Sequence, residues 1–187
     1  MIILASASPR RSELLRNASI PFRVKPAHVP ESPNPGEAPL AYTKRLARDK
    51  ARAIQPQFPE CFVLGADTIV VSDEHLLEKP HDAEDAVRML RLLSDRTHQV
   101  LTGVCLIEPG GKVEDVRYET TNVTFSPMSD AEIRSYVATG EPMDKAGAYG
   151  IQGVASRWAS KIEGCYFNIV GLPIPLVYRV LREHGAI

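Results

Sequence analysis

The chain is poor in cysteine. Its 187 residues carry three, Cys61, Cys105 and Cys165, widely spaced and odd in number. That pattern suits neither a disulfide framework nor a zinc site, so buried free thiols in a reducing cytosol are expected. Five histidines show no HxxH or HExxH spacing, which removes the commonest metalloprotease reading. Long apolar runs are also missing. Met1 to Ala5 is apolar but only a strand in length and lacks a basic n-region, so a signal peptide is not expected. No run approaches the ~20 apolar residues of a membrane span. No charge sign dominates: formal net charge is −1 and aromatics make up 6%. Without a basic-aromatic stripe, a nucleic-acid-binding domain is disfavoured. Neither G-x-G-x-x-G nor a Walker pattern occurs, so Rossmann and kinase-like readings lack support. A cytoplasmic protein is expected, with neither nucleic acid nor a membrane as its partner. An anionic ligand would need a local cluster of cations.

What is present alternates. Ile2 to Ala5 reads as a buried strand, followed by a helix with Ser8 at its N-cap and Pro9 at its first position. Phe22 to Val24 reads as a strand. Residues 26–39 hold five prolines and a glycine and read as a loop. Leu40 to Ile54 reads as a helix with Tyr42, Leu46 and Lys50 on one face. Phe62 to Val71 is a central strand by its nearly continuous apolar run. Asp82 caps a helix to Leu93. Gln99–Ile107 and Val113–Phe125 form a hairpin around Pro109-Gly110-Gly111. Ser129 to Glu132 is a capping box for a helix that Gly140 closes. Residues 140–153 hold four glycines and read as a second loop. Trp158–Ile162 is a strand and Pro175–Glu183 the last helix. One α/β domain over residues 1–187 is expected, its βαβ pattern broken by the hairpin.

Four segments carry chemistry. In the first, Ser6 to Arg11, a strand feeds a small-residue turn and a helix N-terminus bearing Arg10 and Arg11. Free backbone N–H groups and bidentate guanidinium donors there favour phosphate; a capped helix with solvated arginines is the alternative. In the second, Asp67 lies inside an apolar strand, where an ionised carboxylate is costly unless paired or metal-bound. Alternation puts Asp67 and Thr68 on opposite faces. In the third, Lys50 sits on the apolar face of its helix and Lys79 precedes Pro80; each alone reads as a snorkelling or surface lysine. In the fourth, residues 140–153, the glycines would let backbone approach a ligand closely, with Glu141, Asp144, Lys145 and Gln152 interleaved.

Together these segments resemble the Maf family of nucleoside triphosphate pyrophosphatases. The resemblance runs through LASASPRR (4–11), Glu31-Ser32, RLARDKA (45–51), LGADTIVV (64–71), LEKP (77–80), DRTHQVLTGV (95–104), GEPMDKAGAYGIQG (140–153) and IVGLP (169–173). It implies a single α/β domain of Maf/ITPase-like type, with a long mixed central sheet flanked by helices and two lobes around a cleft. It also implies a divalent cation, Mg²⁺ or Mn²⁺, and frequent homodimers. The family's phosphate-binding and catalytic positions match Ser8, Arg10, Arg11, Glu31, Lys50, Asp67 and Lys79. Its base-selecting positions match Arg10, Thr68 and Gln152. The GAYGIQG segment is similar to the branch that prefers dTTP and UTP.

The implied activity is hydrolysis of dTTP and UTP, and of modified pyrimidine nucleotides, to the monophosphate and pyrophosphate. Asp67 is assigned as base and Glu31 as metal holder, roles the sequence leaves open to exchange or sharing. Two positions depart from the family pattern: Pro30, where an acid is common, and Phe167, where a small or polar residue is common. The alternative function is a nucleotide-binding regulator of septum formation and cell division without turnover.

Overall fold

A computed structural model describes residues 1–187. It contains seven strands and six helices: β1 (Ile2–Leu4), α1 (Pro9–Asn17), β2 (Arg23–Val24), α2 (Pro39–Ile54), β3 (Phe62–Ser72), β4 (His75–Leu77), α3 (Ala83–Leu93), β5 (Thr97–Ile107), β6 (Glu114–Phe125), α4 (Asp130–Val137), β7 (Ala159–Glu163), α5 (Tyr166–Val170) and α6 (Ile174–Glu183). The strands form one mixed sheet of order β2-β1-β3-β5-β6-β7, with β4 added to β3. β1 runs parallel to β2 and to β3, while β3–β4 and β6–β7 are antiparallel. No helix is long and apolar enough to cross a membrane.

The chain divides into two compact units. The first comprises Met1–Thr68, Thr102–Glu119 and Gly171–Ile187; the second comprises Ile69–Leu101 and Thr120–Val170.

In the first unit, α2 packs on the sheet through Ala47, Ala51 and Ile54, against Ile3, Ala5, Val63, Cys105 and Ile107. Two glycines set how closely it packs. A Cβ on Gly65 would stand 2.2 Å from the Ala47 carbonyl oxygen, and one on Gly103 would stand 2.4 Å from that of Thr43. Both contacts are with helix backbone, so any larger residue drives the helix outward. Burial of Cys105 pushes its thiol up to about 12, and all three cysteines are free.

In the second unit, Asp82 accepts from the Asp85 N–H and so caps α3, and Ser129 with Glu132 forms the expected capping box of α4. Gly140 closes that helix region in the left-handed conformation. His98, Phe125 and Tyr149 pack edge to face, with ring centroids 4.8 to 5.3 Å apart.

Most sequence-expected elements are present, shifted at their ends by a residue or two. Two were not anticipated. β4 follows a turn at Asp73, a non-glycine residue at φ 52°, so the usual glycine signal of a tight hairpin is missing. α5 has five residues, too few to show helical periodicity.

Candidate active site

The site in the first unit is built on β3 and the two helices that meet it. β3 alternates: Gly65 faces α2, and so does Asp67, whereas Thr68 turns to the other face, as the sequence alternation requires. The α2 face of Tyr42, Leu46 and Lys50 is buried along its length. Lys50 is 7% exposed and Asp67 6%. The Lys50 Nζ lies 2.6 Å from Asp67 Oδ1 and 2.8 Å from Glu31 Oε1. One ammonium therefore joins the buried carboxylate to a half-exposed one from the proline-rich loop. A buried carboxylate without such a partner would cost several kcal/mol.

That loop is tied down by a residue the sequence reading did not select. Arg45 on α2 donates from Nε to Glu37 Oε1 at 2.7 Å and from Nη2 to the Ser32 carbonyl at 3.0 Å. Glu37 Oε2 in turn accepts from the Asn34 N–H. The Arg45 guanidinium holds the Glu37 carboxyl down at about 2. Thus α2 supplies both the cation that meets Glu31 and the brace for the residues that follow it. Arg45 was legible in the RLARDKA segment only as part of a motif, because its partners lie in a loop without periodicity.

On the other face of β3, Arg11 is buried. Its Nε donates to the Gly171 carbonyl at 2.8 Å, Nη1 to Ala66 O at 2.8 Å and Ser6 Oγ at 3.1 Å, and Nη2 to Thr68 Oγ1 at 3.1 Å. Those bonds use four of the five guanidinium N–H donors. Arg11 chiefly holds α1, β3 and the turn at Gly171 together, which the expectation of a phosphate-facing arginine did not foresee. Burial lowers its pKa, opposed by the charges of Asp67 and then Glu31. The Thr68 hydroxyl is likewise engaged, 2.9 Å from Thr102 Oγ1 and 3.3 Å from Gly171 O.

Ser8 occupies the N-cap of α1 in extended conformation, but its side chain makes no cap bond. Its own N–H donates to Ser6 Oγ at 3.2 Å. The α1 N-terminus thus keeps its orphan donors free of a side-chain cap, as an anion-binding helix end requires. Arg10 follows at the first turn, partly exposed.

Could these residues hold a divalent cation? No group of three or more His, Cys, Asp or Glu is arranged so that it could hold a metal ion. Glu31 and Asp67 supply two hard oxygen donors beside the same ammonium. Two carboxylates fit a cation such as Mg²⁺ that completes its shell with water and substrate phosphates, and would not fit an all-protein cage.

The remaining expected residues, Lys79 and Gln152, belong to the second unit, and both are exposed. The Gly147 N–H donates to the Glu78 carbonyl at 3.1 Å, so the glycine loop is bonded to the residue before Lys79. The glycines also serve contacts within the protein. A Cβ on Gly147 would meet Val70 at 2.8 Å, one on Gly150 would meet Lys145 at 2.7 Å, and one on Gly153 would meet Glu141 Oε1 at 2.1 Å. They make room for neighbouring side chains, Glu141 above all.

Comparison with known proteins bears on the same residues. A family model described as Maf-like protein matches residues 1–184. A dTTP/UTP pyrophosphatase of Koribacter versatilis (strain Ellin345) is 63% identical over 186 residues, covering 100% of this chain and 95% of the relative. One of Geobacter sp. (strain M21) is 53% identical over 189 residues, covering 100% and 96%. One of Syntrophomonas wolfei subsp. wolfei is 47% identical over 182 residues, covering 97% and 96%. Among solved structures, the Staphylococcus aureus Ham1 protein shares the fold, with a TM-score of 0.53 at 14% identity and 98% of each chain covered. With nearly every residue inside the family match, the buried Lys50–Asp67 pair included, this chain is a member of the Maf-like protein family.

Proposed function

We propose that this protein is a dTTP/UTP pyrophosphatase, a nucleoside triphosphate diphosphatase that works in the cytoplasm with Mg²⁺ or Mn²⁺. The observation that carries the reading is the pairing of Lys50 with both Asp67 and Glu31. The names of full-length relatives up to 63% identical support the substrate class.

The reaction is attack of water on the α-phosphorus. A bond forms from the water oxygen to that phosphorus, the bridging bond to the β-phosphate breaks, and pyrophosphate leaves. Asp67 accepts the water proton. Lys50 holds Asp67 Oδ1, which leaves Oδ2 for the water and fixes the carboxylate plane. Glu31 and Asp67 would hold the divalent cation, which when bound offsets phosphate charge. Ser8, Arg10 and the uncapped start of α1 take phosphate oxygens. Arg11 acts mainly by holding that helix to β3. Lys79 is proposed as a further phosphate cation. Gln152 is proposed to read the base: its amide accepts from the N3–H of uracil or thymine and donates to a ring carbonyl, a pattern cytosine mismatches.

Pyrophosphate release across a panel of dTTP, UTP, CTP, ATP and GTP tests the reading. Turnover that favours dTTP and UTP, with equal amounts of monophosphate and pyrophosphate, supports it. Tight nucleotide binding without any release would instead support a non-catalytic division regulator.

A further inference from the structure

The glycine loop of the second unit folds around a carboxylate that no proposed chemical step uses. The Tyr136 hydroxyl donates to Glu141 Oε1 at 2.9 Å, and the Val154 N–H donates to Oε2 at 3.4 Å. The same Tyr136 oxygen accepts the Gly150 N–H at 3.1 Å. The Glu141 side chain fills the space a Cβ would take at Gly153. Beneath it, Lys145 Nζ donates to the Glu141 carbonyl at 2.6 Å and to Asp144 Oδ1 at 2.7 Å. Hydrogen bonds from Gly150 and Val154 thus bracket Gln152 on both sides, and both lead back to Glu141 and Tyr136. A free acidic side chain on a loop would point to solvent; this one is turned inward and bonded at both oxygens.

We propose that Glu141 is a positioning residue for base selection. It acts through Tyr136 and the backbone of residues 150–154 to hold Gln152 in the one orientation that distinguishes uracil and thymine from cytosine. The claim rests on the role proposed for Gln152 and adds the device that holds it. Burial raises the Tyr136 pKa, which keeps its hydroxyl protonated as a donor to the carboxylate. Small displacements of a positioned group are costly: about 1 Å can lose on the order of 10²-fold. A Gln152 freed from its brackets would keep its chemistry and lose its selectivity.

The test compares wild type with Glu141→Ala, Glu141→Gln and Tyr136→Phe, each with UTP and CTP and each by amide hydrogen exchange. In Glu141→Ala the UTP-over-CTP ratio of kcat/KM should fall about tenfold, mainly through KM for UTP. Glu141→Gln keeps one acceptor oxygen for Tyr136, and should restore most of the ratio. Tyr136→Phe should fall between the two, and serves if Glu141→Ala does not fold. Exchange at the Gly150 and Val154 amides should quicken in Glu141→Ala, whatever the protein hydrolyses. An unchanged ratio, or equal losses on both nucleotides, overturns the proposal. So does unchanged exchange at those amides. If wild type released no pyrophosphate but exchange still quickened, the reading of the reaction would fail while the bracing of the loop stood.

Discussion

Two regions of this protein hold polar groups in place by different means. In the first unit, the groups stand on regular elements: Lys50 on a helix, Asp67 on a strand, joined because Gly65 and Gly103 let α2 lie close to the sheet. In the second, the proposed reader Gln152 stands on irregular backbone, held by an inward carboxylate and a buried tyrosine. In the first region, the glycines face helix backbone, which cannot yield. In the second, Gly150 and Gly153 face the ends of flexible side chains, which can. A rigid seat suits charges that must stay paired while out of water. The part proposed to distinguish one base from another is held instead by side-chain hydrogen bonds, which a single substitution can release.

The largest way to break this contrast is Gly65→Ala. Its Cβ would collide with the Ala47 carbonyl, so α2 must retreat and Lys50 with it. We expect a loss of about 3 kcal/mol or more in chemical denaturation, with turnover falling alongside.

Next comes acid. Burial pushes His98 down to about 4 from 6.5, and its Nε2 lies 2.8 Å from the Tyr149 hydroxyl beside the glycine loop. The folded state binds this proton less readily than the unfolded one. Stability is therefore full above about pH 6.5 and declines until about pH 4, by roughly 3 kcal/mol in all. His98→Gln should flatten that part of the stability profile.

Gly153→Ala should cost less, about 1 kcal/mol in a thermal melt, because the Glu141 carboxylate it meets can swing aside. The same variant should lose preference for UTP over CTP, which Gly65→Ala would not do selectively.

The smallest effect sharpens the comparison by its sign. His184 in the first unit is bonded at both ring nitrogens, to Glu108 at 2.6 Å and to Asp115 at 3.0 Å. These carboxylates raise its pKa above the usual histidine value. Its contribution is therefore full below about pH 6.5 and lost as pH rises through the raised folded value. Part of the pair is solvent-screened, so less than about 1 kcal/mol is at stake. Replacing His184 with Gln should matter below about pH 6.5 and fade as pH rises through the raised folded value, opposite to the His98 variant.

How much of this was legible follows from the same physics. Elements with a period or a cap were readable: the α2 face of Tyr42, Leu46 and Lys50, the Asp82 cap, and the capping box at Ser129. The costly acid at Asp67 pointed to a partner, and periodicity had already put Lys50 on a buried face. What sequence could not show was which glycine serves which contact. Gly65 reads as one letter of a strand until the helix above it is placed. Gly153 reads as room for a ligand until Glu141 is seen filling its space. Arg11 was expected to face phosphate because it stands at a helix N-terminus and carries bidentate donors. Its partners Ala66 and Gly171 lie 55 and 160 residues away, and no local pattern encodes them.

The most direct test of the whole account is pyrophosphate release from UTP and dTTP by wild type and by Asp67→Asn, assayed with Mg²⁺ or Mn²⁺ on folded protein. The account predicts stoichiometric release by wild type and a loss beyond ~10²-fold in the variant. Near-normal release by Asp67→Asn would contradict it.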